Sequence, residues 1–176
     1  MGGIGCPVAQ YLLSSGIKNL TLIDNDIIQI NNLNRQILYS INNLGVKKVN
    51  VAKKILKGIN PKCKIKTFAK KIDGTNIKKY LSNPSIVIDT TDNWYSMNII
   101  NKFCVKQSIP LISASVVGFD GQVILFKNIK KDHLCLNCIY PNIDEPNLPR
   151  CDSVGVLGIA AGLTGLIAAQ TTINFF

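Results

Sequence analysis

The sequence predicts an α/β fold, a doubly wound and mainly parallel sheet with helices on both faces, on three observations. Short β-branched runs alternate with helix-length segments along the 176 residues. A glycine-rich turn, Gly2-Gly3-Ile4-Gly5, opens the chain just before a helical segment. An acid, Asp24, closes the next β-branched run, where such folds place a ligand-contacting carboxylate.

The elements follow in order. Residues 6–15 read as a helix that Gly16 ends, and 20–24 as a strand. Residues 46–58 are amphipathic: Val49, Ala52, Ile55, Leu56 and Ile59 face inward, lysines face outward, and Pro61 stops the helix. A strand at 64–68 and a short helix at 75–81 come next. Residues 85–89 form the clearest buried strand, before a helix over 93–107 and a strand at 110–115. A hairpin-like pair near 121–126 leads into a polar, Pro-containing loop over 128–150, long enough to suggest a functional role. No repeat or linker divides the chain, so residues 1–176 read as one domain. A glycine turn of this kind normally follows a hydrophobic strand, and none precedes it here. The expectation is therefore a sheet whose first, central strand is missing, two neighbours left without hydrogen-bond partners, and a chain clipped at both ends.

A hydrophobic content of 47% with 17% charged residues is that of an ordinary globular domain and argues against disorder. The formal charge of +10 is nearly all lysine, scattered among Asn and Ile. It reads first as the coding bias of an AT-rich genome and second as a basic face for an acidic protein. No groove-reading or base-stacking motif points to nucleic acid. Six cysteines without disulfide-like density, and no leader pattern, point to a reducing cytosol. Residues 154–176 carry no charge and could cross a bilayer. Gly155, Gly158, Gly162 and Gly165 favour the other reading, a helix buried in the core or at a subunit interface, with no membrane partner.

Gly2, Gly3 and Gly5 before a helix let backbone approach a phosphate at the positive helix end, although a tight turn without ligand gives the same pattern. Asp24 can accept hydrogen bonds from ribose hydroxyls. Both features suit a nicotinamide dinucleotide as well as ATP. The deciding set is Asp24-Asn25-Asp26, then Asn31-Asn32-Leu33-Asn34-Arg35-Gln36, then Lys48, then Asp89-Thr90-Thr91-Asp92-Asn93, in that order within about 70 residues. This series resembles the signature of the ThiF/MoeB/HesA family of adenylating enzymes, which are Rossmann-like.

The resemblance implies that Gly2, Gly3 and Gly5 cradle ATP, that Asp24 takes the ribose and that Asp26, Asn32 and Asn93 make polar contacts nearby. It further implies that Arg35 and Lys48 neutralise the triphosphate while Asp92 holds Mg2+, a pairing of hard oxygen ligand and phosphates that suits that metal. The reaction implied is attack of the C-terminal glycine carboxylate of a ubiquitin-like sulfur-carrier protein, ending in Gly-Gly, on the α-phosphate. A carboxylate is ionised at neutral pH, so no general base is required, and catalysis becomes alignment and charge stabilisation. A homodimer in contact through the Gly-rich terminal helix, and a sulfurtransferase as a further partner, are implied in the same way. Residues 117–122 and 140–146 resemble the ThiF branch, serving thiamine thiazole synthesis, more than the MoeB branch, serving molybdopterin.

Cys135-Leu136-Asn137-Cys138 has the spacing of two ligands to structural Zn2+, and the sequence offers no second pair. The resemblance places the other pair further towards the C-terminus, so an incomplete site is expected; a redox pair is the alternative. Cys151 resembles the family position that can bond covalently to the carrier, and Arg150 beside it could favour the thiolate; an inert cysteine is the other reading. Cys6, Cys63, Cys104 and the lone His133 read as unremarkable. A nicotinamide oxidoreductase and a non-catalytic zinc- or membrane-associated module remain as competing classes. The first leaves Arg35, Lys48 and Asp92 unexplained, and the second would tolerate Asp92→Ala.

Overall fold

A computed structural model of the chain describes residues 1–128, 134–141 and 155–176. The expectations for His133, Arg150, Cys151 and residues 142–146 lie outside the described residues. The elements are α1 (Gly5–Ser14), β1 (Asn19–Ile23), α2 (Lys48–Ile59), β2 (Lys64–Phe68), α3 (Ile77–Tyr80), β3 (Val87–Asp89), α4 (Trp94–Gln107), β4 (Leu111–Val117), β5 (Asp120–Phe126), α5 (Leu136–Ile139) and α6 (Gly158–Phe175). Two single 3-10 turns, Ile30–Asn32 and Ile41–Asn43, punctuate the segment between β1 and α2.

The strands form two sheets. β1 and β2 pair in parallel, with Leu20 opposite Ile65, while β3 and β4 are parallel and β5 returns antiparallel on β4. β1 and β3 are not bonded to each other; both line one cavity of about 1470 Å³. The strand order across the molecule is therefore β2-β1, the cavity, then β3-β4-β5.

Three apolar clusters hold the layers together. Leu13, Leu22, Val49, Ala52, Leu56 and Ile65 join α1 and α2 to the two-stranded sheet. Ile4, Val8 and Leu12 on the other side of α1 meet Ile112, Ala114 and Val116 of β4 and Ala161 and Ala168 of α6. Val87, Ile100, Leu111, Phe126 and Leu136 fill the third. One inward assignment needs correcting. Ile59, the last residue of α2, is 41% exposed because no further helical turn encloses it, and Val51 is buried instead.

The glycine-rich C-terminal segment resolves in favour of a packed helix. α6 lies on α1, β4 and β5, and among the described residues no helix is long and apolar enough to cross a membrane. A methyl group at Gly165 would stand 2.5 Å from Pro7 Cγ and 2.7 Å from the Ile4 carbonyl oxygen, so only glycine allows this approach. The loop predicted over 128–150 contains α5, a single turn too short to register as periodicity. It is pinned to α4, where Asn101 Oδ1 accepts the Leu136 N–H at 3.2 Å and Asn137 donates to Asn98 Oδ1 at 3.1 Å.

Candidate active site

Four sequence segments converge at the C-terminal ends of β1 and β3, beside the start of α1. The glycine turn runs straight into α1, where the Cys6 N–H is bonded to the Gly2 carbonyl at 3.0 Å and Pro7 brings no N–H, so the amides at the helix start that can meet a ligand are those of the turn itself. Neither Gly3 nor Gly5 has a positive φ; what they supply is space. A methyl group at Gly3 would lie 3.0 Å from Ala161 Cβ and 3.3 Å from Arg35 Cγ, and one at Gly5 would lie 3.2 Å from Thr90 Oγ1. Two other motif segments thus pack directly on the turn.

Arg35 follows the first 3-10 turn. Its Nη1 donates to the Asn31 carbonyl at 2.9 Å and to Asn34 Oδ1 at 3.0 Å, which anchors the side chain and leaves the rest of its donor fork uncommitted. Asn32 is buried and donates to Asn31 Oδ1 at 3.0 Å.

Asp24 sits one residue past β1. Its Oδ1 accepts the Asp26 N–H at 2.8 Å. Lys48 opens α2 with its side chain 6% exposed, and its ammonium donates to Asp26 Oδ2 at 2.9 Å. The Lys48 N–H also donates to the Asp26 carbonyl at 3.1 Å. A cation this buried needs a fixed anionic partner. Asp26 supplies it, so the residue read from sequence as a nucleotide contact is engaged with Lys48.

The Asp89–Asn93 turn closes the site. Asn93 caps α4, its Oδ1 accepting the Ser96 N–H at 2.9 Å. Asp92 is exposed on the cavity. Asp89, given no role from sequence, is 3% exposed; its Oδ1 accepts the Thr91 N–H at 2.9 Å while Oδ2 has no hydrogen-bond partner among the described residues. Burial pushes Asp89 up to about 6; the Thr91 amide and nearby hydroxyl offset part of this, and the Asp92 charge adds to it. Gln36 Oε1 is likewise buried without a partner. Both residues stand inside the quoted motifs, and burial is what marks them out.

All ten predicted nucleotide-site residues, Gly2, Gly3, Gly5, Asp24, Asp26, Asn32, Arg35, Lys48, Asp92 and Asn93, line the one cavity. The cysteine pair does not. Cys135 and Cys138 bracket α5 with their sulfurs 3.5 Å apart. Burial raises the Cys135 pKa, but hydrogen bonds from the Cys138 amide and thiol, the Asn101 side chain and the Asn137 amide outweigh it, leaving the thiol below its ordinary value. Among the described residues no group of three His, Cys, Asp or Glu side chains could hold a metal ion, and two thiols alone do not close a tetrahedral site.

Comparison with known proteins then decides the family: the model of the ThiF family matches residues 1–176. The chain belongs to the ThiF family. As a ThiF-family chain it is 33% identical over 174 residues to the sulfur carrier protein ThiS adenylyltransferase of Escherichia coli, covering 99% of this chain and 68% of that protein. It is 36% identical over 175 residues to a probable molybdopterin-synthase adenylyltransferase of Porphyra purpurea, covering 98% of this chain and 45% of the relative. The SAMP-activating enzyme E1 of Haloferax volcanii is 30% identical over 169 residues, with 96% of this chain and 62% of the relative covered. Among solved structures, Escherichia coli MccB with MccA-N7isoASN superposes with a TM-score of 0.83 at 26% identity, over 99% of this chain and 54% of MccB. This ThiF-family chain thus spans between about half and two-thirds of the length of these relatives.

Proposed function

We propose that this chain carries the ATP-binding and adenylating centre of an enzyme that activates the C-terminal glycine carboxylate of a ubiquitin-like sulfur-carrier protein. The observation that carries the reading is the convergence on one cavity of Arg35, Lys48 and Asp92 with the glycine turn, from four separate segments of chain. The names of the relatives, adenylyltransferases and E1-like activating enzymes, support the same chemistry.

ATP lies with its phosphates over the amides at the start of α1 and its ribose towards Asp24. Arg35 and Lys48 bring two fixed positive charges to the triphosphate, and neither has to be gathered from solvent at the moment of reaction. The carrier carboxylate attacks the α-phosphorus, forming the acyl-phosphate bond. The bond to the bridging oxygen breaks, and pyrophosphate leaves with the electron pair. No proton moves, and among the described residues the site offers cations and carboxylates for the charge stabilisation that remains. Mg2+ fits the donor set, because Asp92 offers an exposed carboxylate beside the buried, unpartnered oxygen of Asp89, all hard oxygen. When bound, the ion would supply positive charge to the phosphates, and Asp92 would hold it.

Residues 117–122 favour a ThiS-like carrier within this class, and a MoaD-like carrier is the alternative. Two copies meet through the exposed apolar face of α6, where Ile159, Leu163 and Ile167 recur every four residues. The test is magnesium-dependent ATP–pyrophosphate exchange with ThiS-like and MoaD-like carriers ending in Gly-Gly. Exchange should require a carrier and fall by about a hundredfold or more in Asp92→Ala, as for loss of one charge-stabilising group. Exchange that ignores the carrier, or survives Asp92→Ala, sinks the reading in favour of a non-catalytic binding module.

A further inference from the structure

The lysines are not spread as coding bias would spread them. Residues 47–79 hold twelve lysines against a single acid, Asp73, so this short stretch carries more than the whole formal charge of +10 and the rest of the chain is slightly acidic. The fold gathers that stretch at one end. α2 packs on β2, and β2 is the outer strand of its sheet, bonded only to β1. Lys53 and Lys54 are exposed on α2, Lys64 and Lys66 on β2, and Lys78 and Lys79 on α3. Charged residues on an edge strand discourage strand pairing, which accounts for Lys64 and Lys66 but not for the four on the helices.

We infer that the β2 end of the molecule is an electrostatic docking surface for an acidic protein, and, resting on the function proposed above, that this protein is the carrier whose tail enters the site. The basic end reaches the site directly: Lys66, Lys70 and Lys71 line the same cavity as Asp24, Lys48 and Asp92. A carrier steered there arrives with its carboxylate terminus beside the triphosphate, and field-driven encounter of this kind raises association rates by about 10- to 1000-fold. The surface suits a protein better than a nucleic acid. Residues 47–79 contain no arginine to read base edges, and their one aromatic, Phe68, is stacked on Tyr80 with ring centroids 4.5 Å apart. It also lacks the apolar anchor of a membrane surface, since Ile59 is its one large exposed hydrophobic side chain among the described residues.

The test is calorimetric binding of a Gly-Gly-terminated carrier of net negative charge to the full chain, without ATP, across 50–500 mM KCl. These salt concentrations span the range in which the screening length falls to roughly 4 Å. The unaltered chain should bind more weakly as salt rises. Charge reversal in Lys53→Glu/Lys54→Glu/Lys78→Glu/Lys79→Glu, four exposed lysines outside the cavity lining, should weaken low-salt binding by about tenfold or more, leave KM for ATP unchanged and remove most of the salt dependence. The quadruple Lys→Arg variant should bind as the unaltered chain does. Carrier affinity insensitive to both salt and reversal overturns the inference. So does a DNA duplex or a phosphatidylserine vesicle whose binding is lost on reversal while the carrier's is retained. Salt-sensitive carrier binding without pyrophosphate exchange would instead sink the catalytic reading.

Discussion

Lys48 is the most constrained charge in the molecule, closed off from solvent and tied to Asp26 through both side chain and backbone. Asp26 itself is 57% exposed, so solvent screens the pair and its worth is about 1 kcal/mol. Asp26→Ala should therefore raise KM for ATP roughly fivefold with kcat little changed, and make Lys48 more reactive to amine-selective labelling read by mass spectrometry. Unchanged labelling would separate Asp26 from Lys48. Asp89 gives a pH signature. Its folded pKa of about 6 lies above the ordinary 3.8, so between those values the folded state holds the proton more tightly than the unfolded chain. Stability falls as pH rises through that window and stays lower above it. Asp89→Asn keeps an acceptor for the Thr91 amide and removes the buried charge. It should raise urea stability at pH 7.5 by an amount on the order of 1–3 kcal/mol and abolish the loss between about pH 4 and 6. Neither assignment could be read from sequence. Asp26 and Asp89 both stand in the motifs quoted for the site, but only coordinates show one gripping a lysine and the other buried with a bare oxygen.

Within α6, two glycines make opposite predictions. Helix propensity alone favours alanine over glycine by about 1 kcal/mol at either position. Gly162 faces open space, so Gly162→Ala should stabilise by about that amount. At Gly165 the added methyl meets Pro7 and the Ile4 backbone, so Gly165→Ala should destabilise by about 1–3 kcal/mol and, by pushing on the glycine turn, weaken ATP binding. Chemical denaturation of the two variants side by side checks this. Elements with strong periodic signals were legible: residues 64–68 form the strand predicted, and the helix over 93–107 begins at its Asn93 cap. α5 and the 3-10 turns were not, because one turn of helix has no periodicity and is held by distant partners such as Asn101.

Over the whole molecule, the parallel pairing of β1 with β2 and of β3 with β4 follows from the alternation of strands and helices along the chain. Convergence of the motif segments was less accessible, since Gly3 meets Arg35, Gly5 meets Thr90 and Lys48 meets Asp26 only through the crossovers that carry each strand end to the same side. The gathering of lysines at the β2 end is legible in sequence only as a count, twelve in residues 47–79, because residue counts carry no directions. The proposed adenylation requires Arg35 and Lys48 to act together on one triphosphate. A double-mutant cycle in carrier-dependent ATP–pyrophosphate exchange measures this. Arg35→Ala and Lys48→Ala should each cost about a hundredfold, with the double variant costing far less than the product of the two. Losses within about twofold for each single change, the range of ordinary surface cations, would contradict it.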